Sequence, residues 1–221
     1  MGGSPRIPGH WPITMEYLLE VINLSNLPPA QDVLSQREEA FYSTFKFPKR
    51  KTEWLGGRVA LKKVLTQLVR LPLKKIEILP QEGSGKPQIL LAGEKSTLPF
   101  SITHSNGYAV AAVAPAAKCI GIDLEKVSHR IDAWKQDFFH PTELTAQDDE
   151  FLTSLWTQKE AVVKLLGTGL SLNSFDVRCV NGKVQFFGRA QKIYEGLGSP
   201  YISLASSSPI PGFRFSIAIG K

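Results

Sequence analysis

Three carboxylates and two lysines fall in two short segments of this 221-residue chain, Gly121-Ile-Asp-Leu-Glu125 and Trp156-Thr-Gln-Lys-Glu-Ala-Val-Val-Lys164. In the first, Ile122 and Leu124 alternate with Asp123 and Glu125, which is the period of a strand. Alternation points both carboxylates to one face, roughly 6.5–7 Å apart along the strand. In the second, residues four apart share a helix face, so Trp156, Glu160 and Lys164 line up. Leu155, Val162 and Leu166 form the adjacent apolar stripe. Carboxylates on converging elements repel unless a cation sits among them, and Mg²⁺ accepts carboxylates together with phosphate oxygens and water. The set reads as a hard-cation site handling a phosphate. Taken alone, Asp123-Leu-Glu125 would be the wet face of an amphipathic strand, with Lys126 offsetting its charge. Glu160–Lys164 alone would be a surface i,i+4 pair of little energetic weight. Trp156 on the same face argues against a merely solvated surface.

Other chemical groups support less. Gly83-Ser-Gly-Lys86 resembles part of a P-loop, but that motif needs Gly five residues before its second Gly and Ser or Thr after Lys. Pro80 and Pro87 stand there instead. A turn offering Lys86 to a phosphate and a plain exposed turn both remain open. Thr103-His104-Ser105 lacks the G-x-S-x-G elbow of a hydrolase, which leaves His104 as a structural residue or a donor facing a ligand. Lys46, Lys49, Arg50, Lys51, Arg58, Lys62 and Lys63 form the densest basic cluster. It reads as a solvated surface or as a nucleic-acid patch, and Phe45, Phe47 and Trp54 nearby do not decide between them.

Periodicity and turn chemistry set the helices and strands that carry these groups. After an irregular lead-in over 1–13, a helix is expected over 32–41, starting near Asp32 or Pro29. A basic turn over 47–52 leads to a longer helix over about 53–70. Residues 76–79 form a strand, with a turn over 83–87. Residues 100–105 and 108–114 pair around Asn106-Gly107, a strong hairpin signal. A loose repeat runs through the chain at an offset of about 100 residues. Trp54, Arg58 and Lys62 are echoed by Trp156, Glu160 and Lys164; Gly85-Lys86-Pro87-Gln88 by Gly182-Lys183-Val184-Gln185; Phe100-Ser-Ile102 by Phe215-Ser-Ile217. Two similar halves are expected, 1–117 and 118–221, the second carrying the acidic site. The interface of two such halves is a common place for a ligand.

Composition is that of an ordinary globular chain, 43% hydrophobic and 21% charged. Cys119 and Cys179 make neither a disulfide framework nor a metal-ligand spacing, and read as reduced thiols in a cytoplasmic protein. No stretch has the roughly 18–20 apolar residues of a membrane span. Pro5, Pro8, His10 and Pro12 interrupt any signal-peptide core. A formal charge of +6 favours an anionic partner without naming it.

Together the two segments resemble the 4′-phosphopantetheinyl transferases of the larger, Sfp type. That family is marked by G-[IV]-D-x-E followed by W-[ST]-x-K-E-[AS]-x-x-K, and Gly121–Glu125 and Trp156–Lys164 fit at every defined position. Phe139-His-Pro-Thr-Glu143 matches the family's F-x-x-x-E, and Gly85-Lys86-Pro87 its G-K-P turn. Gly167-Thr-Gly169-Leu170 fits the family's segment just beyond the helix. Thr103 departs from the usual Ser of S-H-S but keeps the hydroxyl. The ordered matches cover about 85–170.

The resemblance implies an α+β fold, a pseudodimer of two similar α+β subdomains with a cofactor cleft between them. It implies transfer of phosphopantetheine from coenzyme A to a serine of an apo acyl or peptidyl carrier protein, releasing adenosine 3′,5′-bisphosphate. Asp123, Glu125 and Glu160 would hold Mg²⁺, or Mn²⁺ in its place. Glu160 would be the base, with Glu143 the alternative, and Lys164 would stabilise the phosphate. Lys86, Thr103, His104, Lys159, Lys164, Arg50, Lys51 and Arg58 would contact the cofactor. The implied partners are acidic carrier domains of fatty-acid, polyketide or nonribosomal-peptide synthesis, met by a cytoplasmic monomer without membrane or nucleic acid. Two rivals rest on residues alone: a metal-dependent nuclease, and a basic nucleic-acid-binding module. Neither accounts for Trp156, Lys159, Glu160 and Lys164 occurring together.

Overall fold

A turn at Asn106-Gly107, with φ of 43° and 89°, closes a two-residue hairpin, because a turn of this twist needs positive φ at both central positions. It belongs to a computed structural model that describes residues 16–221, so the expected lead-in over 1–13 lies outside the described residues. The chain divides into two units. Leu18–Pro115 forms one; Ala116–Lys221, with the described residues before Leu18, forms the other. Both mix helix and strand, an α+β architecture.

The Leu18–Pro115 unit runs β1 (Leu18–Asn23), a one-turn α1 (Ala30–Val33), α2 (Gln36–Ser43), α3 (Pro48–Thr66), β2 (Ile76–Pro80), β3 (Pro87–Leu91), the two-residue β4 (Glu94–Lys95), β5 (Phe100–Ser105) and β6 (Tyr108–Val113). One antiparallel sheet has the order β1-β6-β5 and a second β2-β3-β4. The helix expected over 32–41 is two helices, because Ser35 caps α2: its Oγ accepts from Glu38 N while Glu38 accepts from Ser35 N. The expected basic turn over 47–52 is helical, since Pro48 at the first helical position is already set for it. Leu61, Val64 and Leu65 of α3 are fully buried with Ile76 and Ile78, each worth about 1.5–3 kcal/mol of burial.

Two members of the expected basic surface are not on the surface. Lys62 is wholly buried; its Nζ donates to Glu38 Oε2 at 2.6 Å, Val33 O at 2.7 Å and Leu73 O at 3.0 Å. Three oxygens around one ammonium explain how it leaves water. Arg58 is half-buried in the wall of a pocket.

The Ala116–Lys221 unit runs β7 (Cys119–Lys126), α4 (Asp132–Phe138), α5 (Asp149–Leu165), β8 (Val177–Val180), β9 (Lys183–Phe186), α6 (Gly188–Gly196), β10 (Ile202–Ser207) and β11 (Phe213–Gly220). Its sheet has the order β10-β11-β7, and β8-β9 form a separate hairpin. Each unit thus has the same scheme: a first strand, a capped turn, a long helix, a hairpin, and two strands of which the last pairs with the first. The Trp54 and Trp156 segments lie on the two long helices, and the Gly85 and Gly182 segments in the turns of the two hairpins. The third echo is not equivalent. Phe100–Ile102 is on β5, an outer strand of its sheet, whereas Phe215–Ile217 is on β11, the middle strand.

Candidate active site

The acidic site depends on how closely α5 approaches β7. A Cβ built on Gly121 would stand 1.9 Å from Ala161 O and 2.5 Å from Leu165 N. Only a residue without a side chain admits the helix backbone there. Two residues on, Asp123 faces the same way and is nearly buried, and Lys164 Nζ donates to its Oδ1 at 2.6 Å. Thr157 Oγ1 and Ser216 Oγ, 2.8 Å apart, join α5 to β11, and Ser206 on β10 continues the chain at 2.9 Å.

Glu160 is half-buried on this flank of α5. Desolvation pushes its carboxyl above the ordinary range, and the charges of Asp123 and Glu125 add to that rise while Lys164 opposes it. The three carboxylates therefore sense one another across β7 and α5. Among the described residues no three His, Cys, Asp or Glu side chains are disposed to hold a metal as they stand; the near neighbour of Asp123 is the Lys164 ammonium. The donor set is of the kind a hard cation takes, three carboxylates whose mutual repulsion a divalent ion would relieve.

Glu143 and Lys159 are placed elsewhere. Lys159 Nζ donates to Glu143 Oε2 at 2.8 Å and Oε1 at 3.1 Å, with the residues only 1% and 2% exposed. Glu143 also accepts from Cys179 N at 2.9 Å and His140 N at 2.8 Å. A carboxylate holding three donors through four hydrogen bonds in the interior is not available as a base in this arrangement. Nor can a buried, paired lysine reach a cofactor phosphate from this arrangement. Both expectations give way for the same reason, since the F-x-x-x-E segment is a capping box whose Glu turns inward.

Trp156 packs edge-on to Trp134 and Phe138 at 5.4 and 5.0 Å, which explains its half-burial beside polar neighbours.

The Leu18–Pro115 unit has a pocket of about 270 Å³ walled by Phe41, Phe45 and Trp54, with Arg50, Arg58 and His104 as its basic groups. The Arg58 guanidinium lies over the Trp54 ring at 3.8 Å and that of Arg50 over Phe45 at 5.7 Å. Among the described residues Arg58 Nε is buried without a hydrogen-bond partner, a donor that an anion would satisfy. Gly85 and Pro87 form one rim, while Lys86 between them is exposed. Lys51 lies over the Tyr42 ring at 5.1 Å, beside the pocket rather than in its wall. Thr103 is not a pocket residue: alternation along β5 puts Ile102 and His104 on the pocket face and Thr103, 4% exposed, on the other. The aromatic wall had a signal in the Trp54–Arg58 spacing, one helical turn that stacks a cation on a ring.

The acidic strand and helix lie in a segment, residues 119–200, that matches the family model described as the 4′-phosphopantetheinyl transferase superfamily. The chain is 31% identical over 166 residues to 4′-phosphopantetheinyl transferase Sfp of Bacillus subtilis (strain 168), covering 66% of this chain and 71% of that one. It is also 31% identical over 154 residues to the transferase psf-1 of Bacillus pumilus, covering 66% and 64%. A holo-[acyl-carrier-protein] synthase of Geobacillus kaustophilus is 31% identical over 123 residues, covering 49% and 93%. The chain belongs to the 4′-phosphopantetheinyl transferase superfamily. It spans just under two thirds of the length of some of these curated relatives, 64% of psf-1 and 62% of the gsp transferase of Aneurinibacillus migulanus. No helix among the described residues is long and apolar enough to cross a membrane.

Proposed function

We propose that the chain transfers the 4′-phosphopantetheine group of coenzyme A to a serine of an apo acyl or peptidyl carrier protein, leaving adenosine 3′,5′-bisphosphate. The observation that carries this reading is geometric: half-buried Glu160 lies on the same flank of α5 as Lys164, whose Nζ meets Asp123 Oδ1 at 2.6 Å. The serine oxygen forms a bond to the β-phosphorus as the bond from that phosphorus to the bridging oxygen breaks. Glu160, directly or through a water, takes the serine proton. Lys164 offers its ammonium to the phosphate oxygens and to the departing group. Asp123, Glu125 and Glu160 would hold Mg²⁺ or Mn²⁺, which supplies neutralisation of the pyrophosphate charge. With a cation held by Asp123, the Lys164 ammonium that meets this carboxylate in the structure would be free to face the substrate.

The pocket of the other unit suits the nucleotide end of coenzyme A: aromatic walls for a base, and Arg50, Arg58 and His104 for phosphate. Exposed Lys86 and half-buried Lys51 add charge near its rim. Carriers of fatty-acid, polyketide or nonribosomal-peptide synthesis are acidic, and the formal charge of +6 favours their approach to a cytoplasmic monomer.

Incubation with coenzyme A, Mg²⁺ and a panel of apo carriers tests the reading by mass spectrometry. A gain of one phosphopantetheine on the carrier serine is expected, and no gain on any carrier overturns it. Glu160→Ala loses transfer while circular dichroism is unchanged; full activity in that variant removes Glu160 as base.

A further inference from the structure

The helix that carries Glu160 and Lys164 is gripped from two sides. On one, Gly121 receives the backbone at Ala161 and Leu165, and Thr157 meets Ser216. On the other, Lys159 reaches Glu143, whose carboxylate is itself fixed by the backbone N–H of Cys179 on β8 and of His140. At 3.6 residues per turn, Lys159 and Ala161 lie about 160° apart around the helix axis. Glu160 projects between them, with Lys164 one turn further along the same flank. A helix held on one side can roll; one held on opposite sides cannot. The device recurs in the other unit. There Lys62 on α3 pairs with Glu38, the last residue of a capping box, which also accepts from Ser35 N and from Ile78 N on β2. In each unit the helix so fixed carries charged groups of the proposed function, Arg58 on α3 and Glu160 on α5.

We propose that Lys159 and Glu143 are positioning residues whose buried ion pair sets the roll of α5 and thereby aims Glu160 and Lys164 at Asp123. This rests on the transferase reading for its kinetic consequence, though not for its structural one. It gives the lysine of the K-E-A-V-V-K segment a task other than holding phosphate.

Two variants decide it. Lys159→Met keeps the stem and removes the ammonium; Glu143→Leu with Lys159→Met removes both charges and spares the fold an unpaired buried carboxylate. In both, kcat is expected to fall about a hundredfold, as small misplacements of catalytic groups do, with the KM for coenzyme A within about twofold. The double variant regains the melting temperature without regaining kcat. Nitrogen-15 NMR of the Lys164 ammonium reports its contact with Asp123 independently of turnover, and its signal should shift in both variants. Recovery of kcat together with stability in the double variant overturns the proposal, because the pair would then be only structural. A tenfold rise in KM with kcat retained also overturns it, returning Lys159 to phosphate binding. If the unaltered protein modifies no carrier, the transferase reading falls and the Lys164 signal alone decides: a shift supports the positioning role and an unchanged signal ends it.

Discussion

Lys62 donates to Glu38 at 2.6 Å with both side chains wholly shut off from solvent. Burial lowers the lysine's hold on its proton and Glu38 works against that loss, so the pair survives only as a pair. Lys62→Met strands the Glu38 charge and is expected to cost about 3–5 kcal/mol. Urea unfolding followed by circular dichroism measures it. A loss of less than about 1 kcal/mol, the scale of an exposed pair, would contradict the buried assignment.

Gly121→Ala tests the close approach of α5 to β7. The new methyl group meets the Ala161 carbonyl and the Leu165 amide, which are backbone and cannot swing aside. A loss of about 1–3 kcal/mol or more is expected, together with a fall in transfer as Lys164 is carried away from Asp123. Melting and the carrier assay on the same sample check both, and a variant that is normal in both refutes the contact.

Arg58→Met removes a half-buried cation from the pocket wall. Coenzyme A binding measured by calorimetry is expected to weaken by about 1.5–3 kcal/mol, the worth of hydrogen bonds to a charged group. Thr103→Val, on the far face of β5, should leave that affinity within experimental error. Equal losses in the two variants would mean that the pocket is misassigned.

Cys179 gives a pH signature. Burial pushes its thiol from 9.0 up to about 12, while the unfolded chain keeps the ordinary value. Below pH 9 both states are protonated and the group adds no slope. Above it the unfolded thiol releases its proton first, so the folded state loses stability between pH 9 and 12, by about 1.4 kcal/mol per pH unit. Unfolding free energies of the unaltered chain and of Cys179→Ala, compared at pH 8.5, 9.5 and 10.5, isolate this slope. Parallel curves would disprove it.

The alternation of Gly121–Glu125 and the four-residue spacing of Trp156–Lys164 were enough to put Asp123 on a strand and Glu160 and Lys164 on one face of a helix, because periodicity is a local property; that this helix packs on this strand is long-range and was not. The Asn106-Gly107 hairpin was legible for the same reason. Burial was not. Lys62, Lys159 and Glu143 look like any charged residues in sequence, and only long-range partners, Glu38 for one and Cys179 N–H for another, turn them inward. Thr103 and His104 adjoin in the chain yet face opposite ways, which strand alternation foretells once the strand is known. The Ser35–Glu38 capping box was readable in the spacing S-x-x-E and marks the break between α1 and α2.

The guanidinium of Arg58 over Trp54 has an optical consequence. A fixed cation 3.8 Å from an indole imposes a strong local field on that chromophore. An anion that drew Arg58 off the ring would change the emission of Trp54, which would make this indole an unlabelled reporter of occupancy of the pocket in the proposed function.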